Sequence, residues 1–451
     1  LFSATDVSLK NNTLTSHLWI VPVSGGEEKP LLDWAASRGR FSPDGKQILF
    51  ESARDGGEQI WLADFDGAAG TLGQPHELTH LSTETDNATW SPDGKHILFT
   101  SEVYPECSDH PSSPEAGLPG TPSAGSGSGA DEDACDQQKD EALAQSKVKA
   151  KIFTHLLYRH WNAFTDDKRS HLFLVSAADG SFRDLNPGDT HDIPPFSLGE
   201  PDGWAFSPDG REVAYEEKKV DEPALSTSVA IYMLELFDAA GNPVEGAEPR
   251  KVSTSAGGNF TPRYSPDGKW MAWRMQERAG YESDRFRLVV YARGSESAGQ
   301  RVSKLAGSGA IKEVLPNFDR WVVEEAWGPD SKEIYFAAGD KGEEPVYRAV
   351  PDNAQITTLE WNGAFGDLHL TPDGKLLVAN RMTVAQPGEV AVLHLDEQQP
   401  GEILGTKVVN GRKEVWPGDM PVVETQATHL NDALLSHLDM PKMESFWFPS
   451  V

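Results

Sequence analysis

The stretch Trp90-Ser91-Pro92-Asp93-Gly94-Lys95-His96-Ile97-Leu98-Phe99, WSPDGKHILF, reads as a tight turn feeding a β-strand. Proline presets φ for the second position of a type I turn, Ser is favoured before it, and Gly after the Asp closes the turn. The basic residue then leads into an apolar run of strand character. Nearly the same ten residues return as FSPDGKQILF from Phe41, FSPDGREVAY from Phe206 and YSPDGKWMAW from Tyr264, with weaker copies WGPDSKEIYF from Trp327 and LTPDGKLLVA from Leu370. One copy is only a hairpin, whereas six in one chain are a repeat, and the repeat decides the fold.

The turn prolines lie at 43, 92, 208, 266, 329 and 372, and most intervals run from 43 to 63 residues, the length of a four-stranded antiparallel blade with its loops. After the turn at Phe41 come three strand-like runs, QILFES, EQIWLADFDG and PHELTH. The second of these recurs as HLWIVPVSGG, HLFLVSAADG, AIYMLELFDAAG, FRLVVYARG and EVAVLHLD, alternating and ending in a turn, which is strand periodicity and not helix. The N-terminal HLWIVPVSGGEEKPLLD fits the later part of a blade, so the expected fold is an all-β, seven-bladed propeller with an incomplete first blade, covering residues 1–440. Glu200-Pro201-Asp202-Gly203 is set aside as a decoy, because it runs straight into the true turn at Ser207.

The interval from 92 to 208 is too long for one blade, and the excess lies at about 104–167. Its first half, PSSPEAGLPGTPSAGSGSGADEDACDQ, has linker composition. Its second half, KDEALAQSKVKAKIFTHLLYRHWNAF, is the best helical stretch in the chain, so a helix-containing insertion between two strands of one blade is expected. Long insertions of this kind are more often functional than framework. A smaller insertion, DEQQPGEILGTKVVNGRKEVWPGDMP, interrupts the last blade.

With 451 residues and 38% of them hydrophobic, the chain can build a sizeable core. No apolar run approaches the roughly 20 residues that span a bilayer, so no membrane insertion is expected. Net charge is −30, with 70 acidic against 40 basic residues, which repels phosphate backbones and argues against nucleic acid. The same field would draw in cations, including a peptide's terminal ammonium; solubility alone is the plainer reading. Cys107 and Cys135 are too few for a structural zinc site. In an exported protein they would close the loop as a disulfide; two separate thiols is the other reading. Leu1 stands where a start Met would be, so the sequence is expected to begin partway into a larger protein.

No catalytic machinery is legible. There is no Gly-x-Ser-x-Gly elbow, no His-Glu-x-x-His, no phosphate loop and no ligand spacing for a metal; no cofactor is expected. The pairs Glu216-Glu217 and Glu324-Glu325 lie on strands, where neighbours face opposite sides, and read as solvated charge. The denser cluster joins SEVYPEC, with Glu102 and Tyr104, to YRHW, with Arg159, His160 and Trp161, across the large insertion. Carboxylate, phenol, guanidinium, imidazole and indole would suit a peptide end, the carboxylate pairing with an ammonium and Arg donating to a carbonyl. The alternative is that these residues only anchor the insertion.

The Ser-Pro-Asp-Gly-Lys repeat with IWLADFDG-type strands resembles the propellers of TolB and of prolyl oligopeptidase-family serine peptidases. SEVYPEC, YRHWNAFTDDKRSHLFLVSAADG, DEPALSTSVAIYMLEL and RMTVAQPGEV resemble the acylaminoacyl-peptidase and dipeptidyl-peptidase branch, and the tail THLNDALLSHLDMPKMESFWFPSV resembles the crossover into a hydrolase domain, from about 441 to 451. The resemblance implies a noncatalytic propeller that covers the Ser-Asp-His site of an α/β-hydrolase domain of the same protein, admits short peptides and helps hold their amino end. It implies a periplasmic or secreted enzyme, and self-association into a homo-oligomer is compatible with it. The double-Glu motif that binds the α-amine in dipeptidyl peptidase IV is not carried over to YEEKK, which follows a blade turn and does not lie in a helix before it. The rival is a TolB-like periplasmic interaction propeller with no peptidase half.

Overall fold

The computed structural model describes the chain apart from residues 109–128, 155, 294–310, 361, 399–406, 410–411, 415–417, 420–421, 442, 445, 447 and 450–451. The repeated turn owes its sequence to a small hydrogen-bond circuit. In the copy at Ser207 the Ser hydroxyl donates to Asp209 Oδ1 (2.6 Å) and accepts from Glu212 N–H (3.0 Å), while Gly210 N–H closes the turn on the Ser207 carbonyl (2.8 Å). The same circuit appears at Ser42, Ser91, Ser265 and Thr371. The Gly adopts φ of +69° to +71° in these five copies, a left-handed conformation that costs Gly nothing. In the copy at Trp327, Gly328 has no hydroxyl to offer and Ser331 takes the left-handed place at φ +63°, which is why it reads as divergent. Ser207 is wholly buried. Ser207→Ala is expected to cost about 1–3 kcal/mol, measured by denaturant unfolding, since the Glu212 N–H loses its acceptor.

The chain divides into two compact units. The first, Leu1–Ile20 with Lys29–Pro262 and Glu277–Ser283, holds among the described residues four antiparallel sheets of three or more strands. They consist of Phe2–Ser8, Thr13–Ile20 and Lys29–Pro30; of Ser37–Phe41, Gln47–Ser52 and Gln59–Asp66 with two short strands; of Thr85–Trp90, His96–Val103, Arg169–Ser176 and Phe182–Asp184; and of Trp204–Phe206, Glu212–Glu217, Ala230–Glu235 and Arg250–Lys251. Apolar residues of successive sheets fill the space between them. Leu49, Ile60 and Leu62 meet Ile97, Phe99 and Phe173, and Leu98 and Leu174 meet Phe206, Val213 and Tyr215. The second unit holds Trp270–Met275 with Arg287–Ala292 and Ile311–Glu313, then Val322–Trp327 through Gln355–Glu360, then Ala364–Leu370, Leu376–Thr383, Gln386–Gln398 and Val422–Gln426. The strand Asn259–Tyr264 lies at the division between the units. Such a succession of four-stranded antiparallel sheets is that of a β-propeller.

A bulge recurs four residues before the turn. Arg38, Asn87, Thr261 and Asp367 hold φ of +51°, +60°, +54° and +59°, and the strand register slips beside Arg38, Asn87 and Asp367. Bulges of this type re-aim side chains.

The large insertion leaves the third sheet at Val103 and returns at Arg169, and these two residues pair. Its helix differs from the sequence expectation. It runs over Gly129–Gln145, and Ile152, Leu156 and Leu157 are not helical. The linker-like half is therefore helical from Gly129 onward, while its residues 111–128 lie outside the described residues. Apolar periodicity misplaces this helix because it has almost none: the residues it buries are Gly129, Glu132 and Asp136. Asp131 and Glu132 in its first turn suit the positive end of the helix dipole. Of the smaller insertion, the hairpin Lys407–Val409 with Arg412–Glu414 is described, and Gly418–Asp419 pairs parallel to Gln355–Glu360. Among the described residues no helix is long and apolar enough to cross a membrane.

Candidate functional site

A cleft of ≈ 570 Å³ opens in the first unit, lined by five carboxylates, Glu51, Glu58, Glu84, Asp86 and Glu102, and by two cations, Arg38 and Lys168. Arg38 enters it because its bulged, left-handed backbone turns the side chain away from the sheet's normal alternation. Its Nε lies 3.3 Å from Glu51 Oε2 and 3.1 Å from Asp86 Oδ1, and its Nη1 donates to Asn87 Oδ1. Glu51 is buried and accepts the Ala88 N–H at 2.7 Å. Burial pushes its carboxyl up to about 8, against the opposing pull of that N–H and of Arg38. Burial likewise raises Glu58 and Glu102, helped by Glu84 beside the former and by Asp166 and Asp192 beside the latter. Even with Glu51 neutral, the four other acidic side chains outnumber the two cations, so the cleft has surplus acceptor capacity for a further cation.

The wall of the cleft is fixed by the insertion helix. Asp133 takes the Ser82 N–H (2.6 Å), and Asp140 takes Lys168 Nζ (2.7 Å). Asp136 takes the Tyr104 N–H (2.9 Å), and the Tyr104 hydroxyl donates to Asp140 (3.0 Å). Cys107 and Cys135 form a disulfide with Cα atoms 5.6 Å apart. Tyr104 is buried, and its ring carries Lys139 and Lys168 Nζ at 4.9 and 5.4 Å from the centroid. Burial and Asp140 together push its hydroxyl pKa upward. Tyr104 thus holds the insertion helix in place, and Glu102, two residues before it, faces the cleft.

Arg159, His160 and Trp161 form a separate group, the hairpin Arg159–His160 with Ala163–Phe164. Trp161 is 83% exposed at φ +51°, and Arg159 is exposed. His160 is half-buried and meets the Phe196 ring edge-on at 5.6 Å. Phe153 packs on Tyr158 and Phe164, with centroids 5.0 and 6.0 Å away, to form the hairpin's base. From Ser146 to Thr165 every charged residue is basic, namely Lys147, Lys149, Lys151 and Arg159. A basic aromatic hairpin and an acidic cleft are thus carried by one insertion.

The paired glutamates are not solvated as their sequence suggests. Glu216 and Glu217 are wholly buried and Glu325 is nearly so. Glu216 accepts the Glu200 N–H (2.6 Å) and the Thr261 N–H (3.0 Å). Glu324 accepts the Asp367 and Leu368 N–H groups at 2.6 and 2.7 Å. Each carboxylate thus ties one sheet to the bulged strand of the next, as Glu51 does at Ala88. Arg38, Glu51 and Asp86 were missed by motif reading. The available signal was periodic: Glu51 and Glu216 both stand nine residues after a turn serine, closing an otherwise apolar strand.

Searched against known proteins, the chain matches no family model. It is 28% identical over 369 residues to dipeptidyl-peptidase 5 of Porphyromonas gingivalis, covering 80% of this chain and 46% of that protein. It is 26% identical over 258 residues to dipeptidyl-peptidase 5 of Aspergillus fumigatus, covering 53% and 34%. Among solved structures, the propeller domain of the Trilobed protease from Pyrococcus furiosus matches 95% of this chain and 91% of itself, with a TM-score of 0.51 at 13% identity. The chain thus has the β-propeller fold and is similar over most of its length to the dipeptidyl-peptidases. Pyrococcus horikoshii acylaminoacyl peptidase shares the fold over 96% of this propeller and 51% of its own length, with a TM-score of 0.59 at 14% identity. The propeller spans less than half the length of the dipeptidyl-peptidases it matches.

Proposed function

We propose that this chain is the noncatalytic propeller of an exported serine exopeptidase of the dipeptidyl-peptidase type, periplasmic or secreted. In this reading its seven sheets of three or more strands are seven blades over 1–440, and 441–451 lead into an α/β-hydrolase domain of the same protein. The observation that carries the reading is the match to dipeptidyl-peptidase 5, which runs through 80% of the chain. The propeller restricts the approach of substrate, so that short peptides reach the reacting serine and folded proteins do not. The acidic cleft bearing Glu102 draws in the peptide's ammonium, and the hairpin guanidinium of Arg159 donates to a carbonyl or carboxylate oxygen, with His160 and Trp161 beside it.

The test is the protein encoded by the whole reading frame. It is expected to hydrolyse dipeptidyl chromogenic substrates and to be labelled by a serine-directed fluorophosphonate; a protein inert to both would instead fit the TolB-like interaction propeller. Arg159→Ala is expected to lower kcat/KM on dipeptide substrates by about 10- to 100-fold, the worth of a charge-assisted hydrogen bond, with the melting point almost unchanged because the side chain is exposed. Equal losses of activity and stability would count against the role.

A further inference from the structure

Away from the cleft, Glu132, His171 and Asp184 converge from three elements: the insertion helix, the strand Arg169–Ser176 and the strand Phe182–Asp184. His171 is 0% exposed, the Asp184 side chain 3% and Glu132 8%. His171 Nε2 lies 2.8 Å from the backbone carbonyl oxygen of Asp189. A carbonyl only accepts, so Nε2 carries the ring hydrogen. The other nitrogen, Nδ1, lies 2.7 Å from Asp184 Oδ2. A neutral imidazole would there turn a lone pair on a carboxylate, so the position between them calls for a positive charge. The Glu132 side chain meets that of Asp184, its Oε1 is buried with no hydrogen-bond partner among the described residues, and one of its carboxylate oxygens belongs to the same group. The nitrogen and the two carboxylate oxygens all lie within 4.8 Å of one another. Metal-binding histidines have their outer N–H held in this way by a backbone carbonyl, an orientation that a buried imidazolium–carboxylate pair shares.

We propose that Glu132, His171 and Asp184 form a three-ligand site for Zn²⁺ or a closely related divalent transition metal. One imidazole and two carboxylates suit such an ion, whereas Ca²⁺ needs six to eight oxygens. Glu132 belongs to the insertion and the other two to the sheet, so the ion pins the insertion helix to the propeller as a second fastening beside the disulfide. The neighbouring group Asp189, His191 and Glu217 is equally close, but Lys219 Nζ lies 2.8 Å from Asp189 and 3.1 Å from Glu217 and supplies its positive charge internally.

The experiment uses the tag-free chain, stripped with chelator, dialysed against micromolar ZnCl₂ and assayed by elemental mass spectrometry. The expected result is one Zn²⁺ per chain, with affinity reduced at least 10- to 100-fold in Glu132→Gln and in Asp184→Asn and unchanged in His191→Gln. Circular dichroism checks that the variants fold. As a measurement free of variants, the Co²⁺-loaded wild-type chain is expected to show one hyperfine-shifted, exchange-protected imidazole N–H, that of His171 Nε2. No stoichiometric Zn²⁺, equal binding by folded Glu132→Gln, loss of binding in His191→Gln, or no shifted N–H would each overturn the proposal and leave a proton between His171 and Asp184.

Discussion

Glu216→Ala is expected to lower the unfolding free energy by about 3–5 kcal/mol, the cost of two N–H groups losing their acceptor together with the cavity left behind. The side chain is wholly buried, and its two oxygens are shared between Glu200 N–H on one side and Thr261 N–H, in a left-handed residue of the next strand, on the other. Alanine withdraws both acceptors at once and leaves a cavity. Glu216→Gln keeps the volume but replaces one acceptor by a donor facing an N–H, so about half the loss should remain. A companion variant separates packing from charge. A methyl group on Gly203 would come 2.6 Å from Glu216 Cδ, so Gly203→Ala should be strongly destabilising in the wild-type background and much less so alongside Glu216→Ala. Guanidinium titrations of the four proteins measure the cycle. A loss below about 1 kcal/mol for Glu216→Ala would show that the carboxylate is not what joins these sheets.

The legibility of this molecule follows from which interactions are local. The turn circuit lies within six residues, so Ser, Pro, Asp and Gly announce it, and the sheets follow from the apolar runs after it. Beside the apolar packing, the polar ties between sheets are single carboxylates whose partners are backbone N–H groups some 37 to 45 residues away, as for Glu51 with Ala88 and Glu216 with Thr261. Backbone partners leave no side-chain signature, so a paired Glu on a strand looks like surface charge. The cleft was legible only at Glu102, because Arg38 reaches it through a bulge, and a bulge changes the face of a side chain without changing the letter. The hairpin residues Arg159, His160 and Trp161 are where the sequence clusters them, but they and Glu102 occupy two separate structural elements. The insertion helix was misplaced for the converse reason: its contacts are polar and disulfide-bonded, so the apolar periodicity that identifies most helices is missing.

That polar attachment gives the second large expectation. Reducing the Cys107–Cys135 bridge, or replacing both residues by Ser, removes the constraint on a loop of 28 residues, worth about 3.5 kcal/mol in the chain-entropy account. The helix Gly129–Gln145 buries almost no apolar side chain, so it cannot draw on a hydrophobic face to offset the loss. What remains is a set of charged ties: Asp133 to Ser82, Asp136 and Asp140 to Tyr104, Asp140 to Lys168, and Lys139 to Glu106. The exposed ion pairs among these contribute little individually. Hydrogen exchange in the helix is therefore expected to accelerate by about 100-fold or more on reduction, while exchange in the strands His96–Val103 and Glu212–Glu217, buried in apolar clusters, stays slow. The effect should be larger at high salt, which screens the remaining ties and leaves the sheets untouched. Unchanged exchange in the helix after reduction would mean that the carboxylate ties hold it alone. Because Ser82 and Lys168 line the cleft and are both held by helix carboxylates, a released helix also frees Lys168 to swing and compensate the cleft's acidic surplus. On the proposed function, reduction of the protein encoded by the whole reading frame should then raise KM for dipeptide substrates more than it lowers kcat, since the reacting serine of that reading lies outside this helix.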